Sequence, residues 1–243
     1  MRILSFSKRT LKELLRDPIN VFFGLGFPLV LLGLLTLIQR NIPTPMFELK
    51  RLTPGISVFA LSFITLFSAT LLSRDRETSF LQRLYTTPLT ARDFIIGYIL
   101  PFLPLSMAQC IICYVFAAFL GLRLGITVIY ALIFIIPIAF LYISLGLICG
   151  SVLNVKQVGG ICGALLTNLS AWMSGVWFDA ELVGGAFRRI ANLLPFIHAV
   201  ELERAVLKGD FSGSFVHLWW VLGYTAVCFM LAVLLFLRQM KRQ

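Results

Sequence analysis

Few residues in this chain could carry out covalent chemistry. Ser174-Gly175 closes one long apolar run and His217 lies near the start of another, which would bring a nucleophile and a base to the same membrane face. An intramembrane serine protease would want such a pair. No third catalytic group is evident, however, and any chain rich in apolar runs offers a Ser and a His somewhere. Cys110-x-x-Cys113 has the spacing of a redox or metal motif. It falls in mid-run with no His or acid beside it, so buried apolar thiols are the better reading. His198, beside Pro195, reads as structural. No Gly-Lys pair occurs, so the chain has no phosphate-binding loop of the usual kind. It is expected to be no enzyme and to hold no metal or cofactor of its own.

The elements that would position these residues are set by composition. The 243 residues are 59% hydrophobic and only 13% charged, which excludes a soluble globular domain and fits a polytopic membrane protein. Uncharged runs predict six spans, at about 19–38, 54–73, 94–122, 124–155, 157–178 and 215–237. The third and fourth exceed the ~20 residues that a span needs, so they tilt or project. One transmembrane domain over 1–243 is expected. The N-terminal apolar run is too long for a cleaved signal peptide and no small-residue cleavage site follows it. The five cysteines all fall inside spans.

A net charge of +10 would suggest nucleic acid for a soluble protein, but here its placement decides otherwise. With both termini in the cytoplasm, 13 of the 21 Lys and Arg residues lie inside and 8 outside, as the positive-inside rule asks. The chain is expected in the cytoplasmic (inner) cell membrane, with the lipid bilayer as a partner and no nucleic acid. Spans one to five contain no Asp, Glu, Lys, Arg or His, and span six only His217. Ion-coupled carriers place ionisable groups there, so this class is disfavoured.

Residues 1–17 read as an amphipathic helix on the cytoplasmic leaflet. Ile3, Leu4, Leu11, Leu14 and Leu15 share one face, and Arg2, Arg9, Lys12 and Arg16 gather on the other, toward anionic headgroups. Asp17-Pro18 ends it. Gln39–Thr53 reads as an irregular outer loop, with Pro54-Gly55 opening span two. Pro101, Pro104 and Pro137 are expected to kink spans three and four. Gly159, Gly160 and Gly163 offer a small-residue packing face in span five. In the interrupted segment 179–213, Ala180–Leu193 and His198–Leu207 read as short amphipathic helices divided by Pro195, at the outer interface or dipping in as a re-entrant hairpin.

Residues Arg74–Asp93 (RDRETSFLQRLYTTPLTARD) are the most telling stretch. Phe80, Leu81, Leu84 and Tyr85 recur at helical spacing, with Arg76, Glu77 and Arg83 among them. Pro88 stops the helix and Thr90 offers the next N-cap. A short amphipathic helix at the base of two spans suits docking onto a soluble partner.

Three stretches resemble the permease subunits of ABC exporters of the second type: Leu52-Thr53-Pro54-Gly55; the loop with Leu81-Gln82-Arg83-Leu84, Thr87-Pro88-Leu89 and Gly97; and Ser174-Gly175-Val176-Trp177-Phe178 followed by Leu194-Pro195-Phe196-Ile197-His198-Ala199-Val200-Glu201. Ser79, Gln82 and Asp179 depart from the family pattern. The resemblance implies an all-α membrane protein of six spans with an N-terminal interfacial helix, a cytoplasmic coupling helix and outer-face helices before the last span. It also implies two permeases, the same chain twice or a sister chain, above two cytoplasmic ATPase subunits. ATP and Mg belong to that partner. Glu77, Phe80, Leu81, Arg83, Leu84, Tyr85, Thr87 and Pro88 would form the coupling helix, with Arg9, Lys12 and Arg16 on the interfacial helix beside it. In the family the path runs between the permeases; Gln109, Asn154 and Asn168 could line it, or could simply hydrogen-bond between helices. The implied function is ATP-driven export, with an amphipathic or lipophilic compound the expected cargo and polysaccharide or teichoic acid the alternative.

Overall fold

A computed structural model describes residues 2–18, 22–42, 47–78, 91–178 and 183–240. Among these residues every regular element is helical. Helix α1 (Arg2–Leu15) comes first. A π-helical turn (Phe22–Gly26) leads into α2 (Phe27–Gln39), followed by α3 (Leu49–Glu77), α4 (Ala91–Leu120) and α5 (Ile126–Val152). A helical run then passes through α6 (Val155–Val158), a π-helical stretch (Gly159–Leu166) and α7 (Thr167–Met173). Helices α8 (Gly185–Leu193), α9 (Pro195–Lys208) and α10 (Phe211–Met240) complete the chain.

Among the described residues, five helices are long and apolar enough to cross a membrane: Phe22–Gln39, Leu49–Glu77, Ile95–Leu120, Ile126–Val152 and Phe211–Arg238. The run expected as span five is helical over 155–173 but is not one of these five, since Lys156, Gln157 and Asn168 dilute its apolar character. Helix α3 is the central post, with 89% of its span window buried, whereas α10 is peripheral at 17%. Trp219 on α10 is 71% exposed.

Helix α3 begins at Leu49, earlier than the sequence suggests, and Pro54 therefore lies inside it. Only the first four amides of a helix need no partner, so Pro54 forfeits one bond, to the Lys50 carbonyl. Helices α4 and α5 likewise run on through Pro101, Pro104 and Pro137, a tolerance usual where neighbours support the backbone. Of the three glycines expected to pack, Gly163 lies against α3, where a Cβ would sit 3.5 Å from Leu66, but the closest packing is elsewhere. A Cβ on Gly159 or Gly160 would meet nothing within 4 Å, whereas Gly146 and Gly150 of α5 lie against the backbone of α3. A methyl on Gly150 would sit 2.8 Å from the Ala69 carbonyl oxygen, and one on Gly146 2.7 Å from that of Thr65. Small residues one turn apart thus let two apolar helices touch backbone to backbone. Thr65 Oγ1 donates to the Tyr142 carbonyl at 2.7 Å across the same seam.

Candidate functional site

The last turn of α3 carries Asp75, Arg76 and Glu77, and each side chain binds a different element. Asp75 is 2% exposed. It accepts two hydrogen bonds from the Arg9 guanidinium of α1, at 3.0 and 2.9 Å, and one from Tyr98 Oη of α4, at 2.8 Å. Such charge-assisted, two-pronged bonding is the strong form of the interaction. Burial by itself would lower the proton affinity of Arg9, but the bond to Asp75 and its charge outweigh this, leaving the Arg9 pKa raised and the group firmly charged.

Arg76 donates to the carbonyls of Ser151 and Leu153, the latter at 2.7 Å. These are the orphan acceptors at the end of α5, where a cation also meets the negative pole of the helix. Glu77 accepts from the amide of Val155, the first residue of α6, at 2.8 Å, where an anion suits the opposite pole. Neighbouring residues of one helix therefore hold both sides of the α5–α6 break. Phe80, Leu81, Arg83, Leu84, Tyr85, Thr87 and Pro88, the other expected coupling residues, lie outside the described residues.

Helix α1 docks on α4 through Phe6, whose ring meets Tyr98 edge-on at 5.0 Å. Gly97 makes this possible, because a Cβ there would overlap the Phe6 ring. Phe6, Thr10 and Leu14 are buried at four-residue spacing, while Lys8, Lys12 and Arg16 are exposed. Arg9 does not join that exposed row, being turned to Asp75 and, at 2.8 Å, to Glu13.

The three residues considered for a path fall in separate places. Gln109 is buried, and its Nε2 donates to the Ala60 carbonyl at 3.0 Å and to that of Gly24 in the π-helical turn. It ties helices together and opens on no surface. Asn154 caps α6, accepting from the Gln157 amide at 2.8 Å in a capping box. Asn168 is exposed on α7, with Nδ2 bonded back to the Ala164 carbonyl.

At the opposite end of α3, Arg51, Arg188, Arg204, Lys208, Glu201, His198 and His217 line a cavity of about 410 Å³. Arg204 is nearly buried; it bonds Glu201 at 2.8 Å and the Gly175 carbonyl at 3.0 Å. His198 Nε2 faces the Asn192 carbonyl at 2.9 Å and must carry the proton there, so its Nδ1 accepts from His217 Nδ1, also at 2.9 Å. Burial lowers the His198 pKa and favours this neutral ring. Ser174 donates to the Ala171 carbonyl at 3.1 Å, so the Ser174–His217 pair needed for hydrolysis is not formed. Cys110 is buried with its thiol 3.8 Å from the Ser57 carbonyl, and Cys113 is buried one turn on.

One prominent residue is not singled out by sequence reasoning. Glu203 is fully buried where α9 packs on α3, α5 and α10, and it accepts from Tyr114 Oη of α4 at 3.2 Å. The middles of the spans are free of charge, but α9 carries a carboxyl and a guanidinium in among them. The signal available in the sequence is the three-residue spacing of apolar Val200 and Val206 with Glu203 between them on one helical face.

A family model described as ABC-2 type transporter matches residues 1–207. No curated protein matches the chain.

Proposed function

The chain belongs to the ABC-2 type transporter family and is a multi-pass membrane permease subunit; from that premise we propose that it couples ATP hydrolysis by separate cytoplasmic ATPase subunits to export across the inner cell membrane. The observation that carries this reading is the triple anchorage of Asp75, Arg76 and Glu77. These residues stand at the root of 79–90, the loop whose sequence resembles the family's coupling helix. A push on that loop reaches α1 and α4 through Asp75, α5 through Arg76 and α6 through Glu77. Hydrogen-bond networks and rigid helices of this kind are the physical means by which coupling travels between sites.

In this reading the α1 end faces the cytoplasm, both termini lie there, and 155–173 serves as the fifth of six spans. Lys8, Lys12 and Arg16 meet anionic headgroups, and the cavity around Arg204 opens outside. A second permease, identical or sister, pairs with this one, and Asn168, exposed on α7, borders the path between them. Absence of fixed charge along the spans suits an amphipathic or lipophilic cargo. ATP and Mg bind the partner, whose grooves receive Leu81, Arg83 and Leu84.

The test is co-purification of the tagged chain with the ATPase encoded beside it, followed by hydrolysis and transport assays in nanodiscs. A stable complex is expected, and Arg83→Glu with Leu84→Glu should abolish assembly or uncouple hydrolysis while the permease still folds. Normal assembly and transport in that double variant would refute the docking role.

A further inference from the structure

Glu203 has surroundings unlike those of any other acid among the described residues. Its side chain is 0% exposed. Oε2 accepts a hydrogen bond from Tyr114 Oη, and Oε1 meets no donor among the described residues. The titratable groups that face it are Tyr114 and Cys110 of α4, both neutral forms near pH 7. On its own helix, Arg204 is directed to Glu201 and to the Gly175 and Arg51 carbonyls. On α10, His217 is bonded to His198, and α3 and α5 bring no charged side chain to the carboxyl.

An ionised carboxylate here would have one neutral hydroxyl as its whole solvation. Taking an ion out of water is costly even after relaxation, and among the described residues neither an opposite charge nor a second donor offsets it. A neutral acid avoids that penalty. Glu203 also sits on α9, a helix whose other face lines the outer cavity through His198, Glu201 and Arg204. Any motion that lifts α9 from Tyr114 hydrates the carboxyl and lets it ionise.

We propose that Glu203 is a proton-binding site, loaded while Tyr114 of α4 bonds its carboxyl and emptied to water when that bond opens. The ligand is the proton alone: the carboxyl O–H bond breaks, the proton passes to water, and the electron pair remains on the carboxylate. Re-closure requires a proton to return. Opening of the outer cavity is thereby linked to proton release, and alkaline conditions outside favour the open form. The site stands without the export reading; its opening to the outer face and its effect on transport rest on it.

The first experiment is infrared spectroscopy of the whole chain in nanodiscs at neutral pH, wild type against Glu203→Gln. A carboxylic-acid carbonyl band that shifts in heavy water and is lost in the variant is expected. Absence of that band, with a carboxylate band lost instead, would overturn the proposal. Should Glu203→Gln fail to fold, Tyr114→Phe replaces it: the acid band should persist and move to higher frequency, and its absence again overturns the site. In the permease–ATPase complex, wild-type transport should change several-fold with outside pH and Glu203→Gln should flatten the profile. The same pH profile in both would overturn the link to opening. A chain that carries the acid band yet transports nothing at any pH would sustain the proton site and count against export.

Discussion

The guanidinium of Arg9 grips the carboxylate of Asp75 with two hydrogen bonds, joining residues 66 positions apart in the chain. Arg9→Gln would leave Asp75 buried with Tyr98 as its main donor. Removing one member of a largely buried charged pair should cost about 2–3 kcal/mol. A melting temperature lowered by roughly 4–12 °C is expected. The double variant Arg9→Met with Asp75→Leu should recover part of this loss, since an apolar pair leaves no stranded charge. Thermal melts of the three proteins in one detergent provide the check.

Gly97 sets the distance between α1 and α4. Gly97→Val should displace Phe6 and undock α1, seen as faster proteolysis within residues 2–15. Pairing it with Phe6→Ala should restore protection, because the two positions share one space and their effects are not additive. Equal cleavage of wild type and Gly97→Val would show that α1 is held without this contact.

The glycines of α5 and of the following helical run should behave oppositely. Gly150→Ala places a methyl against the Ala69 carbonyl and Leu72, and backbone cannot yield as a side chain does, so a loss of about 3 kcal/mol is expected. Gly159→Ala meets nothing within 4 Å and should leave the stability of the isolated chain within about 0.5 kcal/mol. Denaturant or thermal titration of both variants decides. A large loss at Gly159 in the assembled transporter but not in the isolated chain would mark that face as covered by another subunit.

The His198 ring stacks on Trp220 at 4.8 Å, nearly parallel. Burial lowers the His198 pKa from its ordinary 6.5. In the unfolded chain the ring takes up its proton first, so its contribution to stability is complete above about 6.5 and is lost as pH falls through the lower folded value. Protonation also puts hydrogens on both Nδ1 atoms, or forces one ring away. Tryptophan fluorescence should therefore change as pH drops below about 6.5 in wild type, and the change should vanish in His198→Gln. Persistence of the transition in His198→Gln would assign it to another group.

Much of this architecture can be read from residue types. The uncharged runs locate the long helices, Pro195 marks the break between α8 and α9, and Lys12 and Arg16 of the expected basic face are exposed on α1, joined there by Lys8. What escapes is everything that depends on which helix faces which. Gly146 and Gly150 look no different in sequence from Gly159 and Gly160, yet only the former meet a neighbour. Gln109 is as polar as a path residue should be, and its burial between Gly24 and Ala60 follows from the register of α4 against α3. Glu203 escapes because a search for charge within the spans passes over α9, which does not span. Arg9 reads as a lipid-facing residue because no local pattern reports a carboxylate 66 residues away.

The anchors in the last turn of α3, just before residues 79–90, differ in what they demand of the rest of the chain. Arg76 and Glu77 bind main-chain carbonyls and an amide, groups that any sequence supplies provided the helices end there. Arg9 and Tyr98 meet Asp75 side chain to side chain. A loop transplanted from another transporter together with its 76–77 neighbours would thus find its footing on α5 and α6 ready-made. Its grip on α1 and α4 would have to be transplanted as a matched set of three residues drawn from three separate helices.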